Sequence, residues 1–174
     1  SWAVQYVDVL YSTGDITGTV HSNGARSYYP SSNITRGDFM LILSRALNLS
    51  SASGTGGFSD VPAGSYYYQA ITAAKALGIA QGTNNKFYPT ATITREDAMV
   101  LALRAMSVSG TGYVTGDTST LSSFYDKNSI SDYARNAVAS LVKSGIITGS
   151  NNQIHPKDKI TRAEAAAVIY RIKF

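Results

Sequence analysis

One short phrase occurs three times in this chain: Ser-Asn-Ile-Thr-Arg-Gly-Asp from Ser32 to Asp38, Ala-Thr-Ile-Thr-Arg-Glu-Asp from Ala91 to Asp97, and Asp-Lys-Ile-Thr-Arg-Ala-Glu from Asp158 to Glu164. Each arginine follows a proline by six residues (Pro30, Pro89, Pro156), and a Gly-x-x-x-Gly pair lies upstream (Gly14/Gly18, Gly78/Gly82, Gly145/Gly149). Twelve residues before each first glycine stands an aromatic: Trp2, Tyr66 or Tyr133. Four landmarks in one order, three times over, make the chain a tandem array. Units of about 60 residues build only marginal cores alone and must bury apolar surface on one another. The expectation is one compact body of three repeats, over 1–49, 58–106 and 124–174, joined by Gly/Ser/Thr-rich linkers at 50–57 and 107–123 that read as exposed.

Two helices are expected per repeat. Val7 and Leu10, Ile71 and Ala74, and Val138 and Leu141 give an i, i+3 apolar stripe that ends at the first glycine, which stops a helix cheaply in the left-handed C′ conformation. Thr35, Thr94 and Thr161 start the second helix, each with an acid three residues on (Asp38, Asp97, Glu164) at capping-box spacing, fullest where the acid is Glu. Phe39, Ile42 and Leu43, and their counterparts in the other repeats, continue at i, i+3, i+4 as a core stripe. Between the helices runs a polar loop, Thr83 to Lys86 or Ser150 to Gln153, closed by an X-Pro step that favours extended backbone. In repeat 1 this loop is longer, through His21 to Ser27, and repeat 1 lacks the aromatic-x-acid lead-in of Phe58-Ser-Asp60 and Phe124-Tyr-Asp126.

The 174 residues contain no cysteine and two histidines, His21 and His155, which excludes a disulfide framework and leaves almost nothing for a metal; no metal and no cofactor are expected. No apolar run approaches the roughly 18 residues that span a bilayer, and the start shows no charged-then-apolar leader, so the chain reads as an excised, mature, secreted piece, monomeric when isolated. A net charge of +4 favours an acidic partner, but Lys and Arg are spread too thinly for nucleic acid. The histidines are unrelated in position and the acids are taken up by caps, so the chain reads as non-enzymatic.

The ordered set of Phe-x-Asp, aromatic-led helix, Gly-x-x-x-Gly, aromatic-Pro and Ile-Thr-Arg-x-Glu/Asp resembles the S-layer homology domain over nearly the whole chain. The resemblance implies an all-α fold: three helix-loop-helix repeats in a pseudo-threefold, three-pronged bundle on a bacterial cell-surface protein. It further implies non-covalent anchoring to the secondary cell wall polymer of Gram-positive-type walls, through pyruvylated N-acetylmannosamine bound in grooves between repeats. The family's Thr-Arg-Ala-Glu is complete in repeat 3, whereas repeat 2 reads Thr-Arg-Glu-Asp and repeat 1 Thr-Arg-Gly-Asp. With its Gly37, long loop and absent lead-in, repeat 1 is expected to make the groove of Arg36 bind most weakly or differently.

Each candidate site residue has two readings. Arg36, Arg95 and Arg162 stand at the first helical position, where the helix dipole opposes a cation; they either make surface ion pairs or grip a ligand carboxylate beside helix-start N–H groups. Gly18, Gly82 and Gly149 are turn glycines, places where a ligand lies against backbone, or both. Trp2, Tyr66 and Tyr133 are core aromatics or platforms for sugar C–H faces. Asp60 and Asp126 cap the following turn or bind a sugar hydroxyl, and His155 reads as a packed loop residue. A helical scaffold that binds another protein in surface-layer assembly is the competing function, to be separated by competition with purified wall polymer.

Overall fold

The computed structural model describes residues 2–50 and 57–174. Its helices come in three pairs: α1 (Val4–Ser12) with α2 (Arg36–Ala46), α3 (Tyr68–Ala76) with α4 (Arg95–Ser109), and α5 (Asp132–Lys143) with α6 (Arg162–Lys173). In repeat 1 the longer loop forms an antiparallel hairpin of β1 (Thr19–Val20) and β2 (Arg26–Ser27). The fold is all-α, with this hairpin as its one sheet among the described residues.

Local chemistry sets the helix ends. Gly14, Gly78 and Gly145 take φ of 79°, 73° and 72°, and the next N–H folds back onto the helix: Asp15 donates to the Leu10 carbonyl at 2.9 Å, Ile79 to Ala74 at 2.8 Å and Ile146 to Leu141 at 3.0 Å. Thr35, Thr94 and Thr161 cap the second helices by accepting the N–H groups of Asp38, Asp97 and Glu164. In α6, Glu164 also reaches back to the Thr161 N–H at 2.8 Å, completing the capping box.

Three isoleucines hold the repeats together. Ile34 donates its N–H to the Ile160 carbonyl at 3.0 Å, Ile160 to Ile93 at 3.2 Å, and Ile93 to Ile34 at 3.2 Å, a closed ring of backbone bonds about a pseudo-threefold axis. All three side chains are buried, each worth roughly 1.5–3 kcal/mol in apolar burial. The helix-start N–H groups extend the pattern: Arg36 donates to Ala91 O and Gly37 to Pro89 O, Arg95 to Asp158 O and Glu96 to Pro156 O, Arg162 to Ser32 O and Ala163 to Pro30 O. Outside this ring, α2 packs on α3, α4 on α5, and α6 returns to α1. The body is therefore cyclic, closed by the two ends of the chain.

Two sequence expectations need correction. The segment expected as an exposed linker at 107–123 begins inside α4 and then docks on α5: Val114 and Gly116 donate their N–H groups to the hydroxyls of Ser144 and Ser140 at 2.8 and 3.1 Å, and Leu121 is buried. Gly116 lies so close that a Cβ there would meet the Ala139 carbonyl oxygen at 2.2 Å. The linker expected at 50–57 lies, but for its two end residues, outside the described residues. The second correction is the X-Pro step. Tyr29, Tyr88 and His155 are left-handed, at φ of 54°, 59° and 55°, rather than extended.

Candidate functional site

Three grooves lie around the axis, and each takes a wall from all three repeats. The first joins Arg36 of repeat 1 to Gly82, Tyr88, Asp97 and Arg104 of repeat 2 and Tyr133 of repeat 3. The second joins Arg95 to Gly149, His155, Glu164 and Arg171 and, from repeat 1, Trp2. The third joins Arg162 to Gly18, Asp38 and Arg45 and, from repeat 2, Tyr66. Their volumes are about 600, 640 and 400 Å³.

The dipole cost of an arginine at a helix start is offset across the repeat boundary. Arg36 Nε donates to Phe87 O at 2.9 Å, Arg95 Nε to Ile154 O at 2.8 Å and Arg162 Nε to Tyr28 O at 2.7 Å. Their Nη1 atoms pair with Asp97, Glu164 and Asp38 at 3.2, 2.8 and 3.5 Å. The guanidinium groups of Arg36 and Arg162 also stack over the rings of Phe87 and Tyr28. Each arginine is thus a strut from one repeat to the next, and among the described residues its Nη2 end has no partner while the side chain lines the groove. The helix-start N–H groups, expected beside the ligand, are instead taken by carbonyls of the next repeat.

The aromatics are exposed rather than core, 61% for Trp2, 68% for Tyr66 and 59% for Tyr133. Tyr66 donates its hydroxyl to Asp38 at 2.6 Å and Tyr133 to Asp97 at 2.9 Å. Burial of the hydroxyl, reinforced by the bonded carboxylate, pushes both phenols well above the usual tyrosine range, so they remain neutral donors that fix the ring at the groove wall. Tyr133 is held further by Glu96, a buried carboxylate that also accepts the N–H and hydroxyl of Ser131, each at 3.0 Å, and the Lys157 ammonium at 2.5 Å. Burial alone would raise the Glu96 pKa; these donors outweigh it and hold the carboxyl below its ordinary value.

Gly18, Gly82 and Gly149 line the grooves at φ of 66°, 65° and 69°. A Cβ at Gly82 would meet Lys86 O and Phe58 at 2.5 Å, and one at Gly149 would meet Gln153 O at 2.6 Å and Phe124 at 2.7 Å. The fold therefore demands glycine here whatever binds. Asp60 and Asp126 are not brought to the grooves, and the turn-cap expectation also fails for them. Asp60 accepts the N–H groups of Phe87 and Tyr88 at 2.8 and 2.7 Å, and Asp126 those of Ile154 and His155 at 2.9 and 2.7 Å. They clamp the left-handed residue before proline, a conformation that costs roughly 1–3 kcal/mol.

Several lining residues escaped the sequence reading. Tyr88 and His155 are half-exposed groove residues rather than packed loop, because the left-handed backbone turns them outward. Arg45, Arg104 and Arg171 add a second arginine to each groove. Arg104 and Arg171 are steadied by the carbonyls of Ile79 and Ile146 at 3.2 and 3.0 Å. Their signal was present, since each stands ten residues after its capping threonine.

A family model described as the S-layer homology domain matches residues 57–99 and 123–166, half of the chain. The chain belongs to the S-layer homology family. Among its relatives, an amylopullulanase of Thermoanaerobacterium thermosulfurigenes and the exoglucanase XynX of Acetivibrio thermocellus are each 39% identical over 98% of the chain. The surface-layer 125 kDa protein of Lysinibacillus sphaericus is 30% identical, also over 98%. The chain spans 9%, 15% and 14% of these three proteins. The S-layer homology matches begin one residue before Phe58 and Phe124, the lead-in aromatics of repeats 2 and 3. Among the described residues no helix is long and apolar enough to cross a membrane, and no cluster of His, Cys, Asp and Glu could hold a metal.

Proposed function

We propose that the chain is a non-catalytic module that anchors a larger protein to the bacterial cell wall by binding an anionic secondary cell wall polymer in its grooves. The observation that carries this reading is the charge balance of each groove, under an exposed aromatic wall. Two arginines from adjacent repeats, joined by Lys86 in the first groove and Lys159 in the second, outnumber the acids that line it (Asp97; Asp158 and Glu164; Asp38), of which Asp97, Glu164 and Asp38 are already paired. An acidic sugar supplies both partners, a carboxylate for the second arginine and the Nη2 end of the first, and C–H faces for Trp2, Tyr66 or Tyr133. Pyruvylated N-acetylmannosamine, which the family resemblance implies, has that chemistry.

The grooves are unequal, but the ranking by repeat changes. Gly37 packs against Pro89 and Tyr67 at the repeat boundary, while the hairpin of repeat 1 shapes the groove of Arg162, the smallest of the three. The Arg162 groove is therefore the one that binds most weakly. Calorimetry against purified wall polymer, before and after removal of its acidic substituents, tests the reading: binding that disappears with the acid supports it. A chain that ignores both polymers is a protein-binding scaffold instead.

A further inference from the structure

The residue before proline is tyrosine in repeats 1 and 2 and histidine in repeat 3. His155 belongs to a loop that wraps the start of α4: Arg95 Nε donates to Ile154 O at 2.8 Å, the Glu96 N–H to Pro156 O at 3.0 Å and the Arg95 N–H to Asp158 O at 2.9 Å. Both chain neighbours of His155 are therefore tied to the helix start that carries Arg95. Its own N–H is held by Asp126 at 2.7 Å, and its left-handed φ of 55° puts the ring on the wall of the Arg95 groove.

The surroundings of the ring are strongly charged. Nδ1 lies 3.5 Å from Asp158 Oδ2, while among the described residues Nε2 has no partner. The groove carries three cations, Arg95, Arg171 and Lys159, and two acids, Asp158 and Glu164. Glu164 is committed to Arg95 and to the Thr161 cap, and Lys157, two residues on from His155, is paired with Glu96. Lys159 and Arg171 each give one donor to a carbonyl, of Thr92 and Ile146. The three cations oppose a fourth positive charge, and an anion bound among them removes that opposition and favours it.

We propose that His155 is a ligand-contacting residue of the Arg95 groove, its Nε2 donating as the imidazolium to the acidic group of the sugar, so that this groove takes up a proton with its ligand. The inference rests on the acidic-glycan reading of the grooves. Its sign follows from charge: histidine is the side chain that ordinarily becomes cationic between about pH 8 and about pH 5, the cation attracts the anion, and affinity rises as pH falls through that window. Reciprocity requires the bound sugar to tighten the hold of His155 on its proton by the same factor. The Arg36 groove has Tyr88 at the matching position, and no histidine lines the Arg162 groove, so neither gains charge in this way.

Trp2 is the one tryptophan of the chain and lines this groove, so its fluorescence reads the Arg95 groove in the presence of the other two. Titrated with pyruvylated N-acetylmannosamine as a monosaccharide, the unaltered chain is expected to bind roughly threefold to tenfold more tightly at about pH 5.5 than at about pH 8, the worth of one added charge-assisted contact. His155→Tyr, which installs the residue of the Arg36 groove, should lose that difference. In nuclear magnetic resonance spectra the His155 imidazole should titrate at higher pH with the sugar bound, whereas His21, which lines none of the three grooves, keeps its titration. Equal pH dependence in His155→Tyr, or a His155 titration unmoved by saturating sugar, overturns the proposal. Equal affinity of the unaltered chain at both pH values overturns it and leaves the glycan reading standing; no binding at either pH, by fluorescence or calorimetry, overturns both.

Discussion

At the scale of single residues, the two arginines of a groove divide the labour unequally. Arg95 ties the Ile154 carbonyl and Glu164 together across a repeat boundary, so Arg95→Ala strands both and is expected to cost roughly 1–3 kcal/mol of stability as well as binding. Arg104 touches only the Ile79 carbonyl. Arg104→Ala should therefore weaken a short acidic sugar fragment by roughly tenfold to a hundredfold, the worth of one charge-assisted contact, while melting shifts by only about 2–4 °C. Titration calorimetry beside thermal unfolding separates the two effects, and unchanged fragment binding in Arg104→Ala would remove that residue from the site. Much of this division was readable from position: Arg104 recurs in register with Arg45 and Arg171. The left-handed φ of Tyr88 was not, because an X-Pro step argues for the opposite, and the Asp60 clamp that imposes it comes from 28 residues away.

At the scale of elements, the helices were legible because their signals are local: an apolar stripe, a threonine cap and a stopping glycine. The strap between α4 and α5 was not. Its Gly/Ser/Thr composition is that of a loose connector, and only the α5 backbone reveals which glycine is needed for close approach. Gly116→Ala must push backbone against backbone at Ala139 and should cost on the order of 1–3 kcal/mol. Gly112, with nothing within 4 Å of a Cβ and no left-handed φ, makes the control: Gly112→Ala should be neutral or slightly stabilising. Equal melting temperatures for the two variants would return the strap to a plain linker.

At the scale of the whole molecule, the ring closes through a contact unlike the other two. Asp15, buried, accepts from the Lys173 ammonium at 2.7 Å, joining repeat 1 to α6. The equivalent positions at the other boundaries are apolar, Ile79 with Leu47 and Ile146 with Met106. Asp15→Asn should cost roughly 3–5 kcal/mol by leaving Lys173 without its acid. Asp15→Ile combined with Lys173→Met should recover most of that loss, a non-additivity that denaturant midpoints report directly. Equal midpoints for single and double variants would deny the pair any role in closure. The cyclic arrangement was an expectation of the family pattern; the ionic seam was invisible in sequence, since nothing local pairs two residues at opposite ends of the chain.

Because every groove draws its walls from all three repeats, no repeat can drift alone. Repeat 2 lends Tyr66 to one groove, Gly82 and Asp97 to another and Arg95 to the last. A change in it is felt all round the ring, and a gene carrying one or two copies encodes no complete groove. Inheritance of this module is accordingly all or nothing: what recombination can usefully move from one protein to another is the block of three.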